Sequence, residues 1–411
     1  MALIQASIEQ LRVGHYVHLP GGWHNHPFLF NAFKIKDEEQ LNIIRHLDTT
    51  LLVMVDVDKS DLPLAALIET EREPTHSPQH DDNPFTSPLP LFDEKAFRRS
   101  MRVAEKAFSQ SVSDLRNALG ALNLKPDEGL ANTAQIVRST AAQIANHEGP
   151  LGLHLIRIHQ GDPLLHHSLN VAYLAMLMGR ELGMAPMDIE AVGLAGLIHD
   201  IGELRIPTQI TQKRGELSKA EINFLRMHPQ YGFDMLNQLD AFEPKIRLVA
   251  LQHHERLDGS GYPKGLKGDE ISPLARIIGL TDHYDELLHP RASGLPAPPN
   301  LVVAQLYKLS AGRFDPHHVK LLIKLLGIYP PGSLVQLSDE SLALVLSTEP
   351  SNTLKPKILP FIKGQKPEGV SMVDLKEDER SILRALSPDD LDDAQRQFFN
   401  LTRRFSYYFA F

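Results

Sequence analysis

The stretch AVGLAGLIHDIGELRIP, residues 191–207, limits what this chain can fold into more than any other. An apolar run with helical character ends on the adjacent pair His199 and Asp200, then turns on Gly202 into Glu203. An unpaired carboxylate taken out of water costs several kcal/mol, on the order of more than a core leucine returns. A fold that buries this helix must therefore compensate the pair, and a metal ion is the leading candidate. The chain holds a second such pair, His80 and Asp81, in a polar Pro- and Ser-rich stretch where both side chains can stay in water.

The bulk properties exclude several classes. With 411 residues, 42% of them apolar, there is room for roughly two to three domains with ordinary cores. A net charge of −9 argues against general affinity for a nucleic-acid polymer or an anionic membrane, so a phosphate ligand must meet locally placed cations or metals. The absence of cysteine removes disulfides and thiolate metal sites and fits a reducing compartment. No apolar run approaches the ~18–20 residues that span a bilayer, and the N-terminus lacks a charged-then-apolar signal pattern. The expectation is a soluble, cytoplasmic protein with neither membrane nor nucleic-acid polymer as partner.

The patterning divides the chain into four parts and makes it mainly α. Residues 1–59 mix short strand-like segments (HYVHLP, TLLVMVDVD) with one amphipathic stretch in which Leu41, Ile44 and Leu47 share a face, as in a small α/β domain. Residues 60–91 are rich in Pro, Ser and acids and read as a linker. Residues 92–330 carry helical periodicity almost throughout, as a helical bundle would. Ser218 and Glu221 form a capping box that should start a helix running to His228, just before Pro229. Residues 331–411 open with SLVQLSDESLALVLSTEP, which alternates around an acidic turn like a β-hairpin, and form a small β-rich appendage with a helical tail.

Twenty histidines cluster largely in the helical part. His167 lies one helical turn before the apolar stripe Val171, Leu174 and Met178; His228 closes the expected helix; His253 and His254 end IRLVALQHHE; and Asp282 follows ARIIGLTD. A single histidine on an apolar face is usually a satisfied core residue. Five helices that each present such a group are hard to ascribe to coincidence. With His199 and Asp200 the set supplies five imidazoles and two carboxylates, enough for two six-coordinate ions if one carboxylate is shared and waters complete the shells. A nitrogen-rich, sulfur-free set suits iron, manganese, cobalt or nickel better than calcium or magnesium. His166, His317 and His318 are assigned to the surface or to outer positions.

The segment HHERLDGSGYPKGLKGDEISPLARIIGLTDHYD resembles the signature of the HD-GYP phosphodiesterases, bacterial enzymes of the HD superfamily that hydrolyse cyclic di-GMP. HSLNV at His167, LIHDIG at His199, MHPQYG at His228 and RFDPHHV at 313–319 complete an ordered series over roughly residues 150–328. The N-terminal LRVGHYVHLPGGWHNHPFLFNAFKIKDEEQL resembles a small domain of unknown function that often precedes HD-GYP domains. The resemblance implies an HD-type helical bundle with His167, His199, Asp200, His228, His253, His254 and Asp282 as metal ligands and Asp200 as the bridge. Trinuclear members carry a glutamate four residues before the first histidine. Pro163 stands there, so two divalent ions are expected, iron or manganese ahead of cobalt, nickel or magnesium.

The implied reaction is attack by a hydroxide shared between the two ions, opening cyclic di-GMP to pGpG and/or GMP. Asp200, Glu203 and Arg291 fall in catalytic positions, and Gly261, Tyr262 and Pro263, with Arg291, in the substrate-binding segment. Two features depart from the family. Glu203 replaces the usual lysine, and Arg291 leads into ASGLPAPPN instead of a basic, aromatic run. Both reduce local positive charge and motivate an alternative: a weak or inactive module that binds cyclic di-GMP or a diguanylate cyclase (GGDEF) domain. Homodimerisation is a further partner expectation, and hydrolysis of a relative such as cyclic GMP-AMP a third reading.

Overall fold

The structure, a computed structural model, describes residues 92–411 apart from 123–124, 159–160, 212, 214, 240–241, 291–295, 310, 402–403 and 411. Within the first 91 residues it describes 3–7, 10–18, 32–35, 41, 44, 52–57 and 59–61. The chain divides into two units, Met1–Leu91 and Phe92–Phe411.

In the first unit, strands β1 (Leu3–Ser7), β2 (Tyr16–His18), β3 (Ala32–Lys34) and β4 (Leu52–Asp56) form an antiparallel sheet in the order β1-β4-β2-β3. Leu41 and Ile44 are helical and pack with Leu11, Val17, Ile35, Val53 and Val55 in one core. Leu47, and residues 62–91 of the expected linker, lie outside the described residues.

The second unit opens with the long helices α1 (Glu94–Leu122) and α2 (Pro126–Asn146). After strand β5 (Gly152–Ile158) come α3 (Pro163–Glu181) and α4 (Pro186–Ile198). Asp162 caps α3, its carboxylate accepting from the Leu164 amide at 3.0 Å. From Leu165 to Gly179 almost every residue of α3 is buried, not only the stripe below His167, as expected of a helix surrounded by others. Gly196 lets α4 approach α3: a Cβ there would stand 2.7 Å from the Cα of Ala172. The bundle continues through α5 (Thr208–Thr211), α6 (Lys219–Leu225), α7 (His228–Asn237), α8 (Pro244–Gln252), α9 (Pro273–Leu288), α10 (Pro299–Leu309) and α11 (Pro316–Leu326).

Three sequence expectations need correction. The Ser218–Glu221 capping box is present, but the helix it starts ends at Leu225, and His228 opens a new one. Pro229 is the cause: lacking an N–H, it cannot bond the Leu225 carbonyl four residues back. Secondly, LGLHLIRI, inside the stretch read as helical, is strand β5, buried along most of its length. Thirdly, the expected helical tail is a single helix, α12 (Asp393–Phe399), ended by Asn400 at φ 46° and followed by strand β11 (Arg404–Ala410). RFSYYFA is aromatic and suits a pleated, half-buried surface.

The hairpin at the start of the β-rich region forms as expected from β6 (Leu334–Leu337) and β7 (Leu342–Thr348). Strands β8 (Lys357–Pro360), β9 (Val373–Asp374) and β10 (Ile382–Leu386) join them. The seven-stranded antiparallel sheet has the path β10-β6-β7-β5-β11, with β8 beside β7 and β9 beside β8. Strand β11 pairs with β5 from Arg404 opposite Ile158 to Ala410 opposite Gly152, which ties the C-terminal region to the bundle. Gly196→Ala should destabilise the protein by about 1–3 kcal/mol through overpacking against Ala172, read as a lower urea midpoint with an unchanged slope.

Candidate metal centre

Five helix ends and turns converge. His167 lies in the second turn of α3, and His199 and Asp200 follow α4 directly. His228 is the first residue of α7, His253 and His254 follow α8, and Asp282 lies within α9. Close backbone approaches fix the arrangement. A Cβ on Gly202 would come within 2.0 Å of the His228 carbonyl oxygen, and one on Gly279 within 2.3 Å of that of His253. The glycine after His199-Asp200 therefore lets the first turn of α7, with His228, settle against the turn Ile201–Arg205.

Four imidazoles are held by the same device. Nδ1 of His199 donates to the Gly196 carbonyl at 2.7 Å, that of His228 to Leu225 at 2.8 Å, and that of His253 to Ala250 at 3.0 Å. The Leu225 carbonyl is the one Pro229 leaves without its helical donor. Nδ1 of His167 pairs with Oδ2 of Asp285 at 2.7 Å. Carbonyl and ionised carboxylate oxygens can only accept, so each Nδ1 carries a hydrogen, and Nε2, once it gives up its own proton, turns a lone pair inward. The Nε2 atoms of His228 and His253 then face each other at 3.2 Å, an arrangement that needs a cation or a proton between them.

Asp200 stands at the centre and divides its oxygens. Oδ1 lies 3.2 Å from His228 Nε2 and 3.3 Å from His253 Nε2, whereas Oδ2 lies 3.5 Å from His199 Nε2 and 3.6 Å from His167 Nε2. Asp282 Oδ1 is 3.2 Å from His167 Nε2, and its Oδ2 is 3.6 Å from His254 Nδ1. Two buried groups of donor atoms result, each within 4.8 Å: Asp200, His228, His253 and His254; and His167, His199 and Asp282. The buried atoms His199 Nε2, Asp200 Oδ1 and Asp282 Oδ2 make no hydrogen bond among the described residues. Orphaned donor atoms of this kind, nitrogen and carboxylate oxygen facing one small space, fit a divalent-metal site.

Burial opposes the charge on Asp200, but His199 and His228 outweigh it and hold the carboxyl well below its usual range. Burial likewise opposes the charge on Asp282, and the imidazoles of His167 and His199 beside it outweigh that and hold it well below its usual range. In return, the neighbouring carboxylates overcome burial and raise His167, His199 and His228. Burial lowers His253 and, joined by the charge of its neighbour, drives His254 well down.

The other expected site residues surround this cluster. Glu203 is 8% exposed in the turn after Asp200, near enough for its charge to raise His228; its candidate partner Arg205 is exposed. Tyr262 stacks on His254 with ring centroids 4.6 Å apart, and the exposed Arg226 guanidinium lies over the Tyr262 ring at 5.1 Å from its centre. Gly261 permits this fold-back: a Cβ would meet the Arg256 nitrogen at 2.4 Å. Buried Glu255 secures the loop by accepting from the amides of Lys264 and Leu266 at 2.7 and 2.9 Å. Pro263 is exposed, and Arg291 lies outside the described residues. Of the histidines assigned elsewhere, His317 is exposed, His318 half-buried, and His166 is buried with its ring stacked on Phe108.

Sequence reasoning missed Asp285, one turn beyond Asp282, and Asn170, one turn beyond His167; spacing of three residues on a helix was the available signal. It also missed the exposed Glu286, whose carboxylate lies with His254 and Asp282 in a third group of donor atoms.

Residues 128–317 match the HD-domain family and residues 3–132 match a domain of unknown function, DUF3391. The chain is similar to cyclic di-GMP phosphodiesterase PA4108 of Pseudomonas aeruginosa, with 31% identity over 366 residues, 87% of this chain and 85% of that protein. It is also similar to 3′3′-cGAMP-specific phosphodiesterase 3 of Vibrio cholerae, with 35% identity over 164 residues that make up 40% of this chain and 35% of that one. Among solved structures, Bd1817, an HDG"Y"P protein from Bdellovibrio bacteriovorus, aligns over 78% of this chain and 98% of its own at 15% identity and a TM-score of 0.44.

The raised histidines give a pH test. Below their shifted pKa values His167, His199 and His228 hold protons that a metal must displace, so affinity should rise with pH. Calorimetric titration of metal-free protein with Mn²⁺ in buffers of different ionisation enthalpy should show net proton release at pH 7 and less at pH 9. Affinity that is flat from pH 6 to 9 would contradict it.

Proposed function

Since the chain belongs to the family of HD-domain cyclic di-GMP phosphodiesterases, we propose that it hydrolyses cyclic di-GMP to pGpG and/or GMP with two divalent ions, iron or manganese. The observation that carries this reading is the division of Asp200, whose two oxygens face two separate histidine groups at 3.2–3.6 Å. His167, His199 and Asp282 would hold one ion, His228, His253 and His254 the other, and Asp200 would bridge them. When bound, such a pair supplies Lewis acidity at phosphorus and makes water nucleophilic near neutral pH.

The protein's part is to hold that constellation rigid. The carbonyls of Gly196, Leu225 and Ala250 fix three imidazole orientations before any ligand arrives, so little reorganisation is left for the reaction. Tyr262 covers His254 and limits its motion, a positioning role beside the substrate contact expected of the Gly261-Tyr262-Pro263 segment. Arg291 remains the proposed phosphate contact. Residues 60–91 act as linker between a 1–59 domain and the bundle of 92–330, and 331–411 complete it. A cytoplasmic setting, homodimers and GGDEF partners belong to the same reading.

The second reading, a module that binds cyclic di-GMP or a GGDEF domain without turnover, is favoured by one observation. Glu203 is buried beside the cluster, near enough to act on His228, where a carboxylate repels phosphate. Anaerobic assay of the purified protein with cyclic di-GMP, with metals counted in the same sample, separates the two. The expected result is about two ions per chain with pGpG or GMP accumulating; metals without turnover select the binding module.

Two substitutions sharpen the test. Asp200→Asn should cut turnover at least about 100-fold and reduce bound metal. Glu203→Lys should raise kcat/KM by about tenfold if the enzyme is merely weakened, since it exchanges repulsion for attraction near phosphate. Turnover that survives complete removal of metal would overturn the reading.

A further inference from the structure

Asp285 is not among the expected ligands, and yet its carboxylate meets four side chains, His167, Asn170, His289 and Arg404. It is fully buried on α9, one turn after Asp282. Its Oδ2 takes Nδ1 of His167 at 2.7 Å and NH2 of Arg404 at 2.5 Å. Its Oδ1 takes Nδ1 of His289 at 3.1 Å and the side-chain amide of Asn170. Arg404 comes from β11, long after the last bundle helix, and is the one Lys or Arg paired with Asp285 among the described residues.

The same strand grips both helices that carry these groups. The Tyr407 amide donates to Asn170 Oδ1 on α3 at 3.1 Å, and the Tyr407 hydroxyl pairs with that of Tyr284 on α9 at 2.8 Å. Arg404 begins the register of β11 with β5, so its backbone is fixed by the sheet. The result is a rigid line from a sheet strand through a guanidinium and a carboxylate to an imidazole whose other nitrogen faces Asp200 and Asp282.

We propose that Arg404 is a positioning residue for the metal centre: by holding the Asp285 carboxylate against His167 Nδ1, it turns His167 Nε2 toward the site shared with His199 and Asp282. The proposal rests on the two-ion reading above. A buried carboxylate without a fixed counter-charge can swing toward any donor, and the His167 ring would lose both its orientation and its tautomer. The carbonyl-held His199, His228 and His253 do not depend on this line. The loss should therefore fall on one ion and spare the other.

The test uses full-length protein stripped of metal and titrated with Mn²⁺ against a chromophoric chelator. Wild type should bind two ions. Arg404→Met should weaken one of them by about 10–100-fold and leave the second within about threefold, with kcat reduced more than KM is changed. Arg404→Lys should restore most of the affinity, because the pairing is a single N–H to Oδ2 contact and not a planar fork. Asp285→Asn combined with Arg404→Met should bind no more weakly than Asp285→Asn alone, as required if Arg404 acts through Asp285. Should Arg404→Met not fold by circular dichroism, Arg404→Gln replaces it in the same cycle. Wild-type affinity in the single variant, equal weakening of both ions, or additive losses would each overturn the proposal. Wild-type protein that takes up no Mn²⁺ would instead overturn the metal reading beneath it.

Discussion

A buried carboxylate placed between two groups of imidazoles sets the terms for the rest of this molecule. Asp200 cannot be ionised in a dry bundle without positive charge close to both of its oxygens. The fold answers with four histidines at 3.2–3.6 Å, from α3, the end of α4, the start of α7 and the end of α8. Bringing four chain segments that close requires backbones to touch, which is why Gly202 stands against the His228 carbonyl and Gly279 against that of His253. These glycines serve the charge distribution as much as the packing.

The histidine orientations show how local backbone rules become chemistry. A proline normally only interrupts a helix. Here Pro229 leaves the Leu225 carbonyl without its helical donor, and the neighbouring His228 supplies Nδ1 instead. The helix break missed in reading the sequence is thus the feature that aims Nε2 at Asp200. His199 and His253 use the free carbonyls at helix C-termini in the same way, which explains why ligand candidates gather at helix ends.

What was legible in the sequence was what repeats or stands against its background. Ionisable groups at the ends of apolar helical runs marked His167, His199, Asp200, His228, His253, His254 and Asp282, and the structure brings all seven together. The Leu334–Leu337 and Leu342–Thr348 hairpin was legible because its period is two. Strand β5 was not: it is short, buried along most of its length, and surrounded by helical periodicity, so nothing local distinguishes it from a buried helix segment. Arg404 was beyond reach altogether. Its meaning depends on a pairing with Asp285 across 119 residues, and an arginine in an aromatic segment carries no local sign of that partner.

The start of α3 decides which groups stand in the turn before His167. Asp162 caps the helix and Pro163 occupies its first turn, so four residues before His167 the chain offers a ring without donor atoms. Glu286 is exposed and joins His254 and Asp282 from the solvent side. An ion there would draw on Asp282 Oδ2 and on His254, which the inner group already requires, and an imidazole nitrogen has one lone pair to give. The buried donor atoms therefore gather in two groups, one around Asp200 and one around Asp282, and the exposed acid at 286 shares donors with them and does not bring a set of its own.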